Sequence, residues 1–403
     1  MTETHDASTH DVLIVGGGLV GASLAIALDR LGLDIGLVEA TPAGVMPSVF
    51  DQRNLSFAGA TVNALTTLGV MAKLRAPTGP IRRIHVSRQG DFGRVRLEAA
   101  DYGRETFGQV VVARDFGEAL EARLSELKSL TRYRPARFVS LGDSRGGSRS
   151  LRISDEQGER EISARLLVAA DGTRSGLRKA LGIGTSEHDY RQTLFVARMR
   201  TEQAPDGTAY ERFGEHGPTA LLPRGDRHFG VVHGVASEQA EDVAGLDAAA
   251  WIDRIQKVFG WRVGRFLSAG ERSAYPIVKV VAEHTVAARA VLLGNAAQTI
   301  HPIGAQGFNL GLRDALTLAE LIEPSQDPGA AALLDSYAER RREDRQRTLE
   351  FSDGLARITG NASPLVRPLR SLGLLAADNS TALQSMLVGG AMGFRADVPA
   401  LCR

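Results

Sequence analysis

Three short apolar runs punctuate this chain, and each stops at a turn of small residues. Residues 11–16 (DVLIVG), 166–170 (LLVAA) and 290–293 (AVLL) are unbroken and rich in small or β-branched side chains, as strands buried in a parallel sheet are. After the first run, residues 18–31 have helical spacing, Gly32 stops them, and 35–39 (IGLVE) form a second strand, completing a βαβ unit. Helical spacing recurs at 59–69, 115–128, 247–259, 307–322, about 330–352, 364–376 and 379–390. Three short strands separated by GDSRGGS and DEQGE turns follow residue 128, and short alternating segments fill 81–112. Between 189 and 235, YRQTLFVARMR, TAYERF, TALLPR and HFGVVHGV alternate as antiparallel strands do, and a long strand is expected at 274–283.

This order predicts an α/β chain of interleaved domains. A nucleotide-binding domain at 1–80, 108–185 and 286–360 encloses a mixed-sheet domain at 81–107 and 186–285, with a helical region at 361–403. The length of 403 residues and an apolar fraction of 43% suit two or three globular domains. With 48 Lys+Arg against 47 Asp+Glu, no overall field draws the protein to nucleic acid. A single cysteine, Cys402, excludes a disulfide framework and fits a reducing cytoplasm. The scattered histidines form no metal motif. Residues 1–10 lack an apolar signal core, and no apolar run approaches the ~18 residues of a membrane span, so the expected location is cytoplasmic, peripheral to a membrane at most. Glycine is the unusual entry, 44 residues of 403 against an ordinary ~7%.

Many of those glycines fall where the three runs end. In GGGLVG, Gly16, Gly18 and Gly21 satisfy the dinucleotide fingerprint, with Leu19 and Val20 opening the helix and Glu39 ending the next strand. The helix start offers amides to a pyrophosphate, and Glu39 offers a carboxylate to ribose hydroxyls. The alternative is a glycine turn without a ligand. The second segment, DGTRSGLR (171–178), places Asp171 and Gly172 at a turn, with Ser175 and Arg178 at helical spacing; a plain capped Asp-Gly turn is the competing reading. The third, GNAAQTIHPIGAQGFNLG (294–311), combines Gly294, Asn295, Pro302, Gly304, Gly307 and Gly311 around a helix start, suited to a ribityl-phosphate chain and a developing anion.

In order and spacing these motifs resemble the FAD-dependent aromatic-ring hydroxylases of the hydroxybenzoate hydroxylase type. The third motif and the tail LQSMLVGGAMGF (383–394) are similar to the ubiquinone-biosynthesis branch, with GNAAQ closest to its 2-octaprenyl-6-methoxyphenol hydroxylase group. The resemblance implies a Rossmann-like FAD-binding domain and hydroxylation of a polyprenylated phenol through a C4a-hydroperoxyflavin, with NAD(P)H or another donor and O2. By family position, Arg53 and Arg114 lie along the FAD, and Asp171, Gly172 and Asn295 contact it. The stretch Gly304, Ala305, Gln306, Gly307, Phe308 and Asn309 faces or backs the flavin ring, and Pro302 fixes that loop. His301 has two open readings, a base toward the phenol or a structural imidazole. Phe195, Phe213 and Phe229 either line an exit for the prenyl tail or belong to the core, and Arg340–Arg342 meet acidic partners or lipid headgroups or form a solvated helix face. Two departures stand out: Asn295 replaces the wider family's Asp, and Gly304-Ala305 reverses the branch's Ala-Gly order. The implied partners are the phenol, an assembly of ubiquinone-biosynthesis proteins and a membrane surface. A sister hydroxylase of different regiochemistry and a non-catalytic flavin-fold scaffold remain as alternatives.

Overall fold

The computed structural model describes residues 9–48, 50–360, 366–394 and 397–403. The expectations that fall on 1–8, 49, 361–365 and 395–396 lie outside the described residues.

The first apolar run becomes the strand Thr9–Val15, central in a parallel array. Ile35–Val38 and then Leu130–Tyr133 lie on one side of it, Gly158–Ala169 and then Ala290–Leu292 on the other. The register is level at the carboxyl edge: Val15 pairs with both Val38 and Ala169, and Ala169 with Leu292. All three small-residue turns therefore leave the same edge of one sheet. The helix Leu19–Asp29 is buried along nearly its whole length, from Gly21 to Leu28, because the sheet, Ala113–Leu124 and Gln306–Ile322 surround it. Gly158–Ala169 also closes an antiparallel meander with Ala136–Arg145 and Ser148–Asp155.

A second, eight-stranded sheet is built on two long antiparallel strands, Thr185–Thr201 and Phe266–Ala282. Phe266–Ala282 begins earlier than the expected 274–283, because its first half is a largely solvated ladder that leaves no apolar alternation to read. The sheet is mixed: Thr208–Phe213 runs antiparallel to Pro218–Pro223 and parallel to Arg83–Arg88. Ala248–Phe259, capped by the Asp247 carboxylate on the Ala250 amide, closes one face with Trp251, Ile255 and Phe259. Phe195 and Phe229 sit in that closed layer, so these two rings are core rather than a tail exit; Phe213 is also buried, on the opposite face. A small sheet of Asn54–Ala58, Gly79–Ile81 and Gly108–Val112, not anticipated from the pattern, bridges the two larger ones. The C-terminal helices Val366–Asn379 and Thr381–Ala391 meet the second sheet, where Val388 and Met392 join Ile81, Val95 and Leu97.

The expectation for Arg340–Arg342 is overturned. Ala331–Gly360 packs along Gln306–Ile322, and Arg341 is only 2% exposed. Its guanidinium bonds Asp314 at 2.7 Å and Asp344 at 2.5 Å, while Arg313 bonds Asp344 at 2.7 Å. Arg340 pairs with Glu320 and Asp397, leaving Arg342 as the exposed member. Burial raises the cost of the Asp344 charge, but the two guanidiniums outweigh it and hold its carboxyl below the usual range. Among the described residues no helix is long and apolar enough to cross a membrane, and no group of side chains could hold a metal ion.

Removing one member of this buried ion network leaves the others uncompensated. Arg341→Met is expected to cost about 3–5 kcal/mol of stability, measured by urea unfolding; a loss below about 1 kcal/mol contradicts the role assigned to the network.

Candidate cofactor and substrate site

The first turn is shaped by close approach. Gly16, at φ +111°, donates its amide to Val38 O at 2.9 Å, and a Cβ here would lie 2.3 Å from Ala170 O. A Cβ on Gly21 would lie 2.0 Å from Gly16 O. Gly18 is the N-cap of Leu19–Asp29, and without a side chain it leaves the amides of the first helical turn uncapped. Glu39 receives the Gly17 amide on Oε2 at 2.9 Å and the Thr41 amide on Oε1 at 2.8 Å. Each oxygen retains acceptor capacity, so the expected ribose contact stays open to it.

The second and third turns are clamped together. Ser175 caps Gly176–Ala180 by accepting the Arg178 amide, and Asp171 Oδ2 accepts the Leu177 amide at 3.2 Å. The Arg178 guanidinium, almost fully buried, donates to Ala296 O at 2.8 Å and Thr173 O at 2.9 Å. The capped-turn reading therefore accounts for Ser175 and Arg178. It does not account for Asp171 Oδ1, which is buried without a hydrogen-bond partner. Gly294 and Gly311 serve packing: Cβ atoms there would lie 2.9 and 2.8 Å from Val20 Cγ2. Gly172 and Gly307 differ, since a Cβ on either meets nothing within 4 Å. Asn295 is exposed beside them.

The loop after His301 enters its helix through two left-handed residues, Gly304 at φ +71° and Ala305 at φ +54°. The reversed Gly-Ala order thus places an alanine in a conformation that costs an L-residue roughly 1–2 kcal/mol. Ala305 provides no side-chain cap, so the amides at the start of Gln306–Ile322 are free of one. Gln306 is buried and bonds Gly304 O at 3.0 Å. Asn309 spends its amide internally, donating to Ser56 O and Ala305 O and accepting from Ala58 N and the Thr61 hydroxyl. Phe308 packs on Phe57 and Phe116. These two side chains brace the loop from behind.

His301 is buried, and burial pushes its imidazole down to about 4 despite the Asp353 carboxylate nearby. Its Nε2 lies 3.1 Å from Gln192 Oε1, and its Nδ1 accepts the Ile303 amide at 3.2 Å. The ring is neutral with both nitrogens engaged. Pro302 is exposed beside it. Arg53 lies over the Tyr275 ring at 4.3 Å and grips Asp51 with two nitrogens, joining the stretch before Asn54–Ala58 to the second sheet. Burial opposes the Asp51 charge, but the bonds from Arg53 and Tyr275 hold its carboxyl low. Arg114 starts Ala113–Leu124 with its side chain largely exposed. Sequence reasoning missed Asp51, Asn54, Gln192 and Tyr275, although the first two flank Arg53 in the stretch FDQRNLSF.

Residues 9–352 match the FAD binding domain family. The chain belongs to that family. It is an FAD-dependent monooxygenase. Ubiquinone hydroxylase UbiL of Rhodospirillum rubrum is 34% identical over 388 residues, covering 95% of this chain and 89% of that protein. The 3-demethoxyubiquinol 3-hydroxylase of Escherichia coli is 28% identical over 95% of this chain and 98% of its own length. Among solved structures, p-nitrophenol 4-monooxygenase of Pseudomonas putida superposes with a TM-score of 0.78 at 18% identity, covering 96% of this chain and all of that one. This likeness establishes the α/β fold of the aromatic hydroxylases.

FAD fits the residues present. Two helix starts lack side-chain caps, Asp171 Oδ1 lacks a partner, and Gly172 and Gly307 border open space at the same sheet edge. Gly307→Val fills that space without an internal clash. It is expected to leave the unfolding temperature of the FAD-free protein nearly unchanged while weakening FAD binding at least about tenfold, or about 1.4 kcal/mol. Unchanged affinity by flavin fluorescence titration would remove Gly307 from the site.

Proposed function

We propose that this FAD-dependent monooxygenase hydroxylates the aromatic ring of a polyprenylated phenol in ubiquinone biosynthesis, most specifically a 2-polyprenyl-6-methoxyphenol. The observation that carries the reading is the likeness to a named ubiquinone hydroxylase at 34% identity over 95% of the chain. The E. coli relative is named for a 3-hydroxylase activity, which keeps a sister regiochemistry as the second reading.

FAD, when bound, would supply the redox chemistry that couples oxidation of NAD(P)H to insertion of one oxygen atom of O2 into the ring. The rest falls to the chain. Gly16, Gly18, Leu19, Val20, Gly21 and Glu39 hold the adenosine diphosphate part, and Asp171, Gly172, Asn295 and Arg114 lie along the linker. The free amides at Ala305–Gly307, at the positive end of a helix, stabilise negative charge on the reduced ring. His301 positions the loop: Gln192 fixes its ring and Ser352 its carbonyl, so Pro302 and Gly304 are presented at a defined depth. The face of the second sheet opposite Ala248–Phe259 receives the phenol and excludes water.

A peripheral membrane contact suits a substrate with a lipid tail. Leu372, Leu375 and Leu383 on the C-terminal helices are exposed, and so is Phe92, beside the Gly93 that packs on Ser371 and Leu374. A scaffold role is excluded if turnover is seen. With FAD, NAD(P)H, 18O2 and a short-tailed 2-prenyl-6-methoxyphenol, the product is expected to gain one 18O atom by mass spectrometry. Reoxidation of flavin with no oxygenated product from any prenylated phenol contradicts the reading.

A further inference from the structure

The face of the second sheet opposite Ala248–Phe259, covered by the C-terminal helices at its Val86–Val95 end, carries one charge that the described residues leave unanswered. Glu211 lies in Thr208–Phe213, between Val86 of the parallel neighbour and Ala220 of the antiparallel one. Tyr210 and Arg212 turn to the closed face, toward Phe259 and the Val258 carbonyl. Strand alternation therefore sends Glu211 to the opposite face, with Ala209.

Across the sheet the same row continues through Ala220, Val232 and Val196. At one end of this area Gly230 meets Asn54, whose Nδ2 is buried without a partner. At the other, Gln192 holds His301. Val196, Leu222 and Val232 keep partial solvent access in the middle of an eight-stranded sheet whose other face is closed. Ala220 and Gly234 add little bulk. This stretch of the face is flanked by the Asn54 strand and the His301 loop, and Glu211 stands on it in the row of Ala220, Val232 and Val196.

No hydrogen bond or ion pair among the described residues reaches the Glu211 carboxylate. Among the described residues, charged groups on the elements around it are engaged elsewhere. Arg88 pairs with Asp91, Arg53 with Asp51, Arg224 with Asp226, Lys279 with Asp353 and His301 with Gln192. On the C-terminal helices, Asp378 accepts the Arg96 amide. Enclosure alone pushes the Glu211 carboxyl up to about 7. An unpaired carboxylate in such a place destabilises the fold, and a ligand with a neutral hydrogen-bond donor answers it.

We propose that Glu211 is a catalytic residue that accepts the proton of the substrate's phenolic hydroxyl. The O–H bond breaks, the proton passes to a carboxylate oxygen, and the electron pair stays on the phenolate oxygen, enriching the ring for attack by an electrophilic oxygen. The inference rests on the phenol-hydroxylase reading above and gives its substrate site an acceptor that His301, with both nitrogens engaged, does not supply.

The test compares FAD-loaded wild type, Glu211→Gln and Glu211→Asp with NADPH, O2 and a short-tailed 2-prenyl-6-methoxyphenol. Wild-type turnover is expected to rise through about pH 7. Glu211→Gln is expected to keep its flavin and its phenol-induced absorbance change, to turn over about 10²–10⁴-fold more slowly, and to lose the rise near neutrality. Glu211→Asp recovers part of the rate. A folded-state pKa above the unfolded one makes the native carboxyl cost stability as pH rises, so Glu211→Gln unfolds at a higher temperature than wild type at about pH 8, with little difference at about pH 4. Turnover of Glu211→Gln within about threefold of wild type, with the same pH profile, overturns the proposal and leaves the hydroxylase reading intact. A wild type that hydroxylates no prenylated phenol overturns both.

Discussion

Parallel strands that end level with one another impose the geometry on which the rest depends. Val15, Val38, Ala169 and Leu292 stand in one register, so turns separated by more than a hundred residues of chain open onto a single crevice. Ligands collect at such carboxyl edges because helix starts there leave amides unpaired. Each apolar run matters less for its own burial than for where it stops. A one-residue slip in any strand would withdraw its turn from the shared edge.

Close packing converts that edge into a site. Gly16, Gly21, Gly294 and Gly311 give up their side chains so that turns and helices touch, while Gly172 and Gly307 leave room for something else. Arg178 fastens the Asp171 turn to the Ala296 carbonyl, and Asn309 fastens the helix start to Ser56 and Ala58. Behind them, Asp314 receives both Gln298 from the third turn and Arg341 from the long helix. The second sheet approaches from the opposite side and is tied on through Arg53 and Tyr275. On the proposed reading, cofactor and phenol would share the Asn54–Ala58 strand and the His301 loop as common walls.

What could be read beforehand follows a physical division. Unbroken apolar runs and glycine turns are local signals, and residues 11–21, 166–172 and 290–311 were legible because their chemistry is contained within each stretch. Contacts across long separations were not. Arg341 looked like part of a solvated face because nothing local announces Asp314 on another helix. Phe195 and Phe229 alternated correctly, yet alternation does not say which face a helix will cover. In TAYERF, Glu211 reads as an ordinary solvated position until neighbouring strands surround it. His301 stood open as a base or a structural imidazole, and the contacts that engage its two nitrogens, Gln192 and the Ile303 amide, come from a distant strand and from the loop's own fold. The reversed Gly304-Ala305 order was visible, but its left-handed backbone was not.

The central claim is that three distant turns form one FAD site. Hydrogen–deuterium exchange of the FAD-free and FAD-loaded protein tests it most directly. The account predicts that amides at 17–21, 171–174 and 304–308 slow together on loading, while the outer helix Ala248–Phe259 does not change. Protection confined to 17–21, with the other two turns exchanging as before, would contradict it.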